Sequence, residues 1–164
     1  MKTFILLLLV STSFCFSQEL GELRVAYPNA NSKESVTNEL HQELSSISKT
    51  DSKTLVAYKG AVLTLKAKYA KGFKYKKTFF KEGAELLEFA ITAEPKNIEI
   101  RCLRLGVQEN APKIVGYKKN IQEDKQFLLD HFATIQNQEL RKFIRGYVLL
   151  SEAFSDSEKQ LFKG

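Results

Sequence analysis

DSKTLVAYKGAVLTLKAKYAKG, residues 51–72, decides the fold class. Leu55, Tyr58, Val62, Leu65 and Tyr69 recur at steps of three and four, the spacing that lines one face of a helix. The Asp51 side chain can accept a bond from a free backbone N–H and so open the helix, and Gly72 stands where it should stop. Just downstream, Phe79, Gly83, Leu86 and Ala90, with Phe80, Leu87 and Ile91 beside them, repeat the pattern until Pro95, which cannot continue a helical ladder. The two segments are expected to pair as an antiparallel hairpin. Residues Asn97 to Gln108 are apolar on two sides, through Ile98, Cys102 and Leu105 and through Ile100, Leu103 and Val107. A helix of that kind belongs between neighbours, and this one is expected at the centre of the domain.

The same reading extends to both ends. Asn120 and Glu123 have the spacing of a capping-box variant ahead of a helix marked by Ile121, Leu128, Phe132 and Ile135. Asn137 should cap the next helix, carried by Leu140, Phe143, Ile144, Tyr147, Leu150 and Phe154, and Ser155 with Glu158 opens a last short turn. Toward the N-terminus, Val36, Leu40, Leu44 and Ile47 suit a helix over about Ser32 to Ser46. Leu20, Leu23 and Tyr27 suit a shorter one ending before Pro28, with a turn at Asn29 to Ser32. Almost no alternating strand pattern occurs. The expected fold class is all-α, antiparallel helical hairpins packed as a short right-handed array or an irregular bundle.

Residues 1–17 read differently. Lys2, the apolar run Phe4 to Val10 and the small and polar residues after it have the order of a cleavable signal peptide, with Gln18 as the mature start. A membrane anchor would need about 20 continuous apolar residues, and Ser11, Thr12 and Ser13 interrupt this run. A lipoprotein signal needs a small residue before its cysteine, where Phe14 precedes Cys15. The expectation is export to the periplasm or beyond, one helical domain over 18–164, and no membrane span in the mature chain. Cleavage lowers the formal charge of +6 by one and leaves Cys102 as the single cysteine. An internal disulfide is then excluded, so the fold must rest on its core, with Cys102 read as a small buried hydrophobe.

Lys66 to Lys81 is the most unusual local composition: Lys66, Lys68, Lys71, Lys74, Lys76, Lys77 and Lys81 interleave with Tyr69, Phe73, Tyr75, Phe79 and Phe80, without an acid. Lys71, Lys74, Lys76 and Lys77 are candidates to meet an anionic lipid or cell-envelope polymer, since ammonium groups neutralise phosphates while rings enter an interface. The alternative is a solvated hairpin tip whose aromatics turn inward. Export makes nucleic acid an unexpected partner. Arg101 and Arg104 share a stripe with Gln108 on an otherwise apolar helix, so they either pair with carboxylates such as Glu85, Glu88 or Asp124 or clasp an acidic ligand bidentately.

Nothing points to catalysis, a cofactor or a metal. His41 and His131 are the two histidines, and HExxH, paired cysteines, GxSxG and a glycine-rich phosphate loop are all missing. Glu39, His41 and Glu43 stand two apart, so on a helix they diverge.

The small Gly83, large Leu87, small Ala90 and terminating Pro95 stand at the intervals where a tetratricopeptide repeat places its small, aromatic, small and proline positions, and this helix resembles the second helix of that repeat. The first helix departs from the pattern, no second copy follows at 34 residues, and the Tyr69 to Tyr75 connection reads as longer than the repeat's turn. The resemblance implies a helical-hairpin architecture and protein or peptide binding. The sequence therefore points to a non-enzymatic binding or structural module of the bacterial envelope, with anionic-surface binding through Lys66 to Lys81 as the alternative and an enzyme third.

Overall fold

The computed structural model describes residues 20–163, so the signal-like segment 1–17, Cys15 and Gln18 lie outside the described residues. Every regular element in that span is helical. α1 covers residues 20–30, α2 Glu34–Glu43, α3 Lys53–Tyr69, α4 Phe73–Ala93, α5 Ile98–Asn110, α6 Ile121–His131, α7 Gln138–Leu150 and α8 Asp156–Gln160. Short 3-10 turns follow α2, α5 and α6.

α3 and α4 form the expected antiparallel pair, and it is the most extensive helix contact in the molecule. Its closeness comes from two glycines. A Cβ on Gly83 would lie 2.5 Å from the carbonyl oxygen of Gly60, and one on Gly60 would lie 2.7 Å from that of Gly83. Backbone meets backbone there, so no side chain can rotate away to make room. The hairpin turn is shorter than the sequence suggested. Gly72, at φ 86°, reverses the chain within three residues, and α4 already begins at Phe73. Residues 73–78 are thus helical, and the lysines among them are set at fixed angles around α4.

α3, rather than α5 alone, occupies the middle. Thr54 to Thr64 are all buried except Lys59, because Val56, Ala57, Ala61 and Leu63 fill the sides that the Leu55–Tyr58–Val62 stripe leaves open. A helix apolar all round must have neighbours on every side, and α3 contacts α2, α4 and α5. The core runs on without a break from Leu23 through Leu87, Leu103, Leu128 and Ile144 to Phe154 and Phe162.

Helix ends show where side-chain chemistry was read correctly and where a better partner took over. The side chains of Asn97 and Asn137 accept from backbone N–H groups at the starts of α5 and α7, and Ser155 with Glu158 forms a reciprocal capping box. Asp51 does not cap α3. Its carboxylate accepts from the amide and hydroxyl of Ser48, each at 2.8 Å, which lowers its pKa and closes the preceding turn instead. Asn120 makes no side-chain cap either: its Nδ2 donates to Glu123, and its own amide donates to Gln108 Oε1 at 3.0 Å. α1 passes through Pro28 and stops at residue 30, two residues beyond the proline that was expected to end it. The Ala30 carbonyl is then met by Thr37 Oγ1 at 2.8 Å. α7 ends at Leu150, so Phe154 packs into the core from a turn.

Gly83→Ala should cost about 3 kcal/mol of unfolding free energy, from overpacking against a backbone that cannot yield. Gly146→Ala, where an added Cβ meets nothing within 4 Å, should be neutral or stabilising by up to about 1 kcal/mol. Urea titrations of both variants compare them directly, and equal midpoints would contradict the close approach.

Candidate functional site

Helices α1, α4, α5 and α7, the end of α3 and the 111–117 loop leave a concave face between them with a volume of about 2320 Å³. α5 packs against both α4 and α7 and so joins the two long walls. From one side project Phe73, Lys76, Lys77, Phe80 and Ala84 of α4, and from the other Lys142, Gly146 and Leu150 of α7. Val25 of α1 and Ile114 and Val115 of the loop complete the lining.

The groove concentrates exposed apolar surface. Of the seven large apolar side chains most exposed among the described residues, Val25, Phe73, Ile114, Val115 and Leu150 all line it. Four of them, Val25, Phe73, Ile114 and Leu150, are between 74 and 87 % exposed. Scattered exposed apolar residues are ordinary, but several gathered in one concavity mark an interaction surface. Gly146 keeps the α7 wall low, because nothing stands within 4 Å of where its Cβ would be.

Withdrawn charges hold these walls, and α5 is their hub. At its first turn, Glu99 is 3 % exposed and receives Arg24 of α1 bidentately, Nε on Oε1 at 2.8 Å and a terminal nitrogen on Oε2 at 2.7 Å. The Tyr58 hydroxyl of α3 donates to the same carboxylate at 2.8 Å. Burial opposes the Arg24 charge, but Glu99 outweighs it and the pKa rises, while burial and Glu99 together raise the Tyr58 phenol. At the other end of α5, Glu109 accepts from the Tyr147 hydroxyl at 2.6 Å, from Ser151 Oγ and from the amides of Glu152 and Ala153. That carboxylate ties down the end of α7.

Between them lie the two arginines singled out from sequence. Arg104 meets fully buried Asp124 of α6 through Nε at 2.7 Å and a terminal nitrogen at 2.8 Å, and reaches Glu88 of α4 at 3.2 Å. Arg101 donates to the Pro95 carbonyl, Glu123 and Asp124 and lies over the Phe127 ring. Burial pulls the Arg104 pKa down, but Asp124, Glu88 and Glu123 outweigh it and the guanidinium is held charged. Burial raises Asp124 against the pull of both arginines. Glu88 also accepts from the Tyr117 hydroxyl at 2.6 Å, which fixes the loop beside α4. The third member of the stripe, Gln108, bonds Asn120, and Glu85 turns toward Lys81 instead.

In the lysine–aromatic segment Lys66, Lys68 and Lys81 are engaged by Asn38, Asn31 and Glu85, and the rest divides into three groups. Tyr69, Phe79 and Phe80 are half-buried, against the Asn31 carbonyl, His41 and Tyr117 respectively. Lys76 and Lys77 line the groove, with no partner for their ammonium groups among the described residues. Lys71 and Lys74 lie outside that lining, beside exposed Phe73 and Tyr75 at the hairpin tip.

The groove residues outside α4 were missed from the sequence. Their signal was apolar side chains left over from helix stripes: Val25 off the Leu20–Leu23–Tyr27 face, Leu150 at the end of α7, and the pair Ile114–Val115 in a loop. Cys102 lies buried beneath the groove, and burial pushes its thiol well up, away from a reactive thiolate. His131 stacks on Phe127, and among the described residues no group of three His, Cys, Asp or Glu is placed to hold a metal ion. No helix among the described residues is long and apolar enough to cross a membrane. Compared with protein-family models, curated proteins and solved structures, the chain gives no match.

Removing the Asp124 charge leaves two buried guanidiniums facing each other. Asp124→Asn should cost about 3–5 kcal/mol, whereas Glu123→Gln, at a half-exposed partner, should cost under about 1 kcal/mol. Thermal unfolding of the two variants checks the contrast, and equal losses would show that Asp124 is not the anchor.

Proposed function

We propose that this protein is a binding module of the bacterial cell envelope, exported through residues 1–17, whose concave face receives a segment of a partner polypeptide. The observation that carries this reading is the gathering of Val25, Phe73, Ile114, Val115 and Leu150 in one groove. A volume of about 2320 Å³ exceeds the roughly 300–1,000 Å³ typical of small-molecule pockets. Walls held by buried ion pairs lower the ordering cost of binding, because the receiving surface is set before the ligand arrives. The resemblance of the α4 residues Gly83, Leu87, Ala90 and Pro95 to the second helix of a tetratricopeptide repeat implies the same peptide-binding role.

Gly146→Phe tests the reading, since a ring there enters the groove from a position with open space. Capture of envelope polypeptides by the immobilised protein, followed by isothermal titration with the captured segment, should show at least about a tenfold loss of affinity for this variant, with unfolding unchanged. Equal affinity in wild type and variant would place binding elsewhere.

A second reading rests on the hairpin tip, where Phe73 and Tyr75 are 74 and 63 % exposed beside Lys71 and Lys74. Aromatic rings ringed by ammonium groups suit an anionic interface. Under this reading the protein co-sediments with phosphatidylglycerol vesicles at low salt, and Phe73→Ser with Tyr75→Ser abolishes it. Absence of the wild-type protein from the pellet at low and physiological salt removes this reading.

A further inference from the structure

The charges of the groove identify the kind of segment that fits it. Of its five acids two are firmly engaged, Glu88 by Tyr117 and Arg104 and Glu109 by Tyr147 and Ser151; Glu139 and Glu85 meet Arg24 at 3.8 Å and Lys81 at 3.7 Å, and the Glu152 carboxylate alone has no partner among the described residues. Three of its six lysines are not engaged. Lys76, Lys77 and Lys142 line the groove with no partner among the described residues, whereas Lys81 pairs with Glu85, Lys49 lies over the Phe89 ring, and Lys68 donates to the carbonyls of Asn31 and lies over the Tyr69 ring.

The cations lie on both long walls, Lys76 and Lys77 on α4 and Lys142 on α7, with the apolar side chains Val25, Phe73 and Leu150 in the same lining. An occupant must place apolar side chains against the latter and negative charge toward the former. A basic segment would bring like charges together, which costs affinity and slows encounter. A purely apolar one would leave ammonium groups partly desolvated and unpaired.

We infer that the groove of this protein binds an acidic amphipathic polypeptide segment, apolar on one face and rich in carboxylates along its edges, with Lys76, Lys77 and Lys142 as its charge partners. The inference rests on the groove being a polypeptide site. Carboxylates at the groove edge meet lysines from two walls, so they select orientation as well as sign. Exposed pairs of this kind weaken as salt rises.

Two labelled helical peptides of about five turns, one of leucine and glutamate and one of leucine and lysine in the same amphipathic pattern, test this by fluorescence anisotropy against the folded protein. The leucine–glutamate peptide should bind about tenfold or more tightly than its basic counterpart at low salt, and the preference should shrink in high salt. Lys76→Glu, Lys77→Glu and Lys142→Glu combined should reverse the preference, while Gly146→Phe weakens both peptides. Equal binding of both peptides, unaffected by the triple substitution but lost in Gly146→Phe, overturns the acidic ligand and leaves the groove standing. Binding of neither peptide, or binding indifferent to Gly146→Phe, overturns the groove itself. Displacement of the acidic peptide by phosphatidylglycerol vesicles, retained in Gly146→Phe, overturns the inference in favour of a membrane surface.

Discussion

One helix withdraws four charged side chains from full contact with water, and each of them finds its partner on another helix. Glu99, Arg101, Arg104 and Glu109 project from α5 toward α1 and α3, toward α6, toward α4 and α6, and toward the end of α7. A buried charge without its partner costs several kcal/mol, more than most alternative packings could return. The helices around α5 are therefore fixed in azimuth as well as in contact. Apolar burial alone would hold a bundle of similar volume together while leaving its helices free to slide and close over exposed surface.

That rigidity makes the exposed groove intelligible. Val25, Ile114 and Leu150 would gain from collapse against one another, yet Arg24 is held by Glu99, the loop by Tyr117 on Glu88, and α7 by Glu109. The Gly60–Gly83 approach contributes from the other side by locking α4 onto α3 over most of its length. The N-terminal half of α4, with Phe73, Lys76 and Lys77, then stands as a wall alongside the end of α3.

Much of this was legible in the sequence because it was written as periodicity. The steps of three and four in Leu55 to Tyr69 and Phe79 to Ile91 give the central hairpin, Pro95 its end, and Ser155 with Glu158 the last cap. Short polar side chains were harder to place. Asp51 and Asn120 have the spacing of caps, but Ser48 and Gln108 offered nearer partners. The turn at Gly72 was read too long because a left-handed glycine reverses the chain in fewer residues than composition suggests. Arg101 and Arg104 stood out as charges on an apolar helix, whereas the roles of Glu99 and Glu109 depend on Tyr58, Arg24 and Tyr147, which lie 38 to 75 residues away. The groove was invisible for the same reason, since its lining comes from separate elements that no local window brings together.

Methyl-resolved NMR of the folded protein with an added leucine–glutamate amphipathic peptide tests the central claim most directly. The methyl signals of Val25, Ile114, Val115 and Leu150 should shift together and saturably, while those of Leu23, Leu55 and Val62 in the core stay in place. Shifts confined to Leu161 or to residues outside the groove, or no shift at all, would contradict a preformed groove that binds polypeptide.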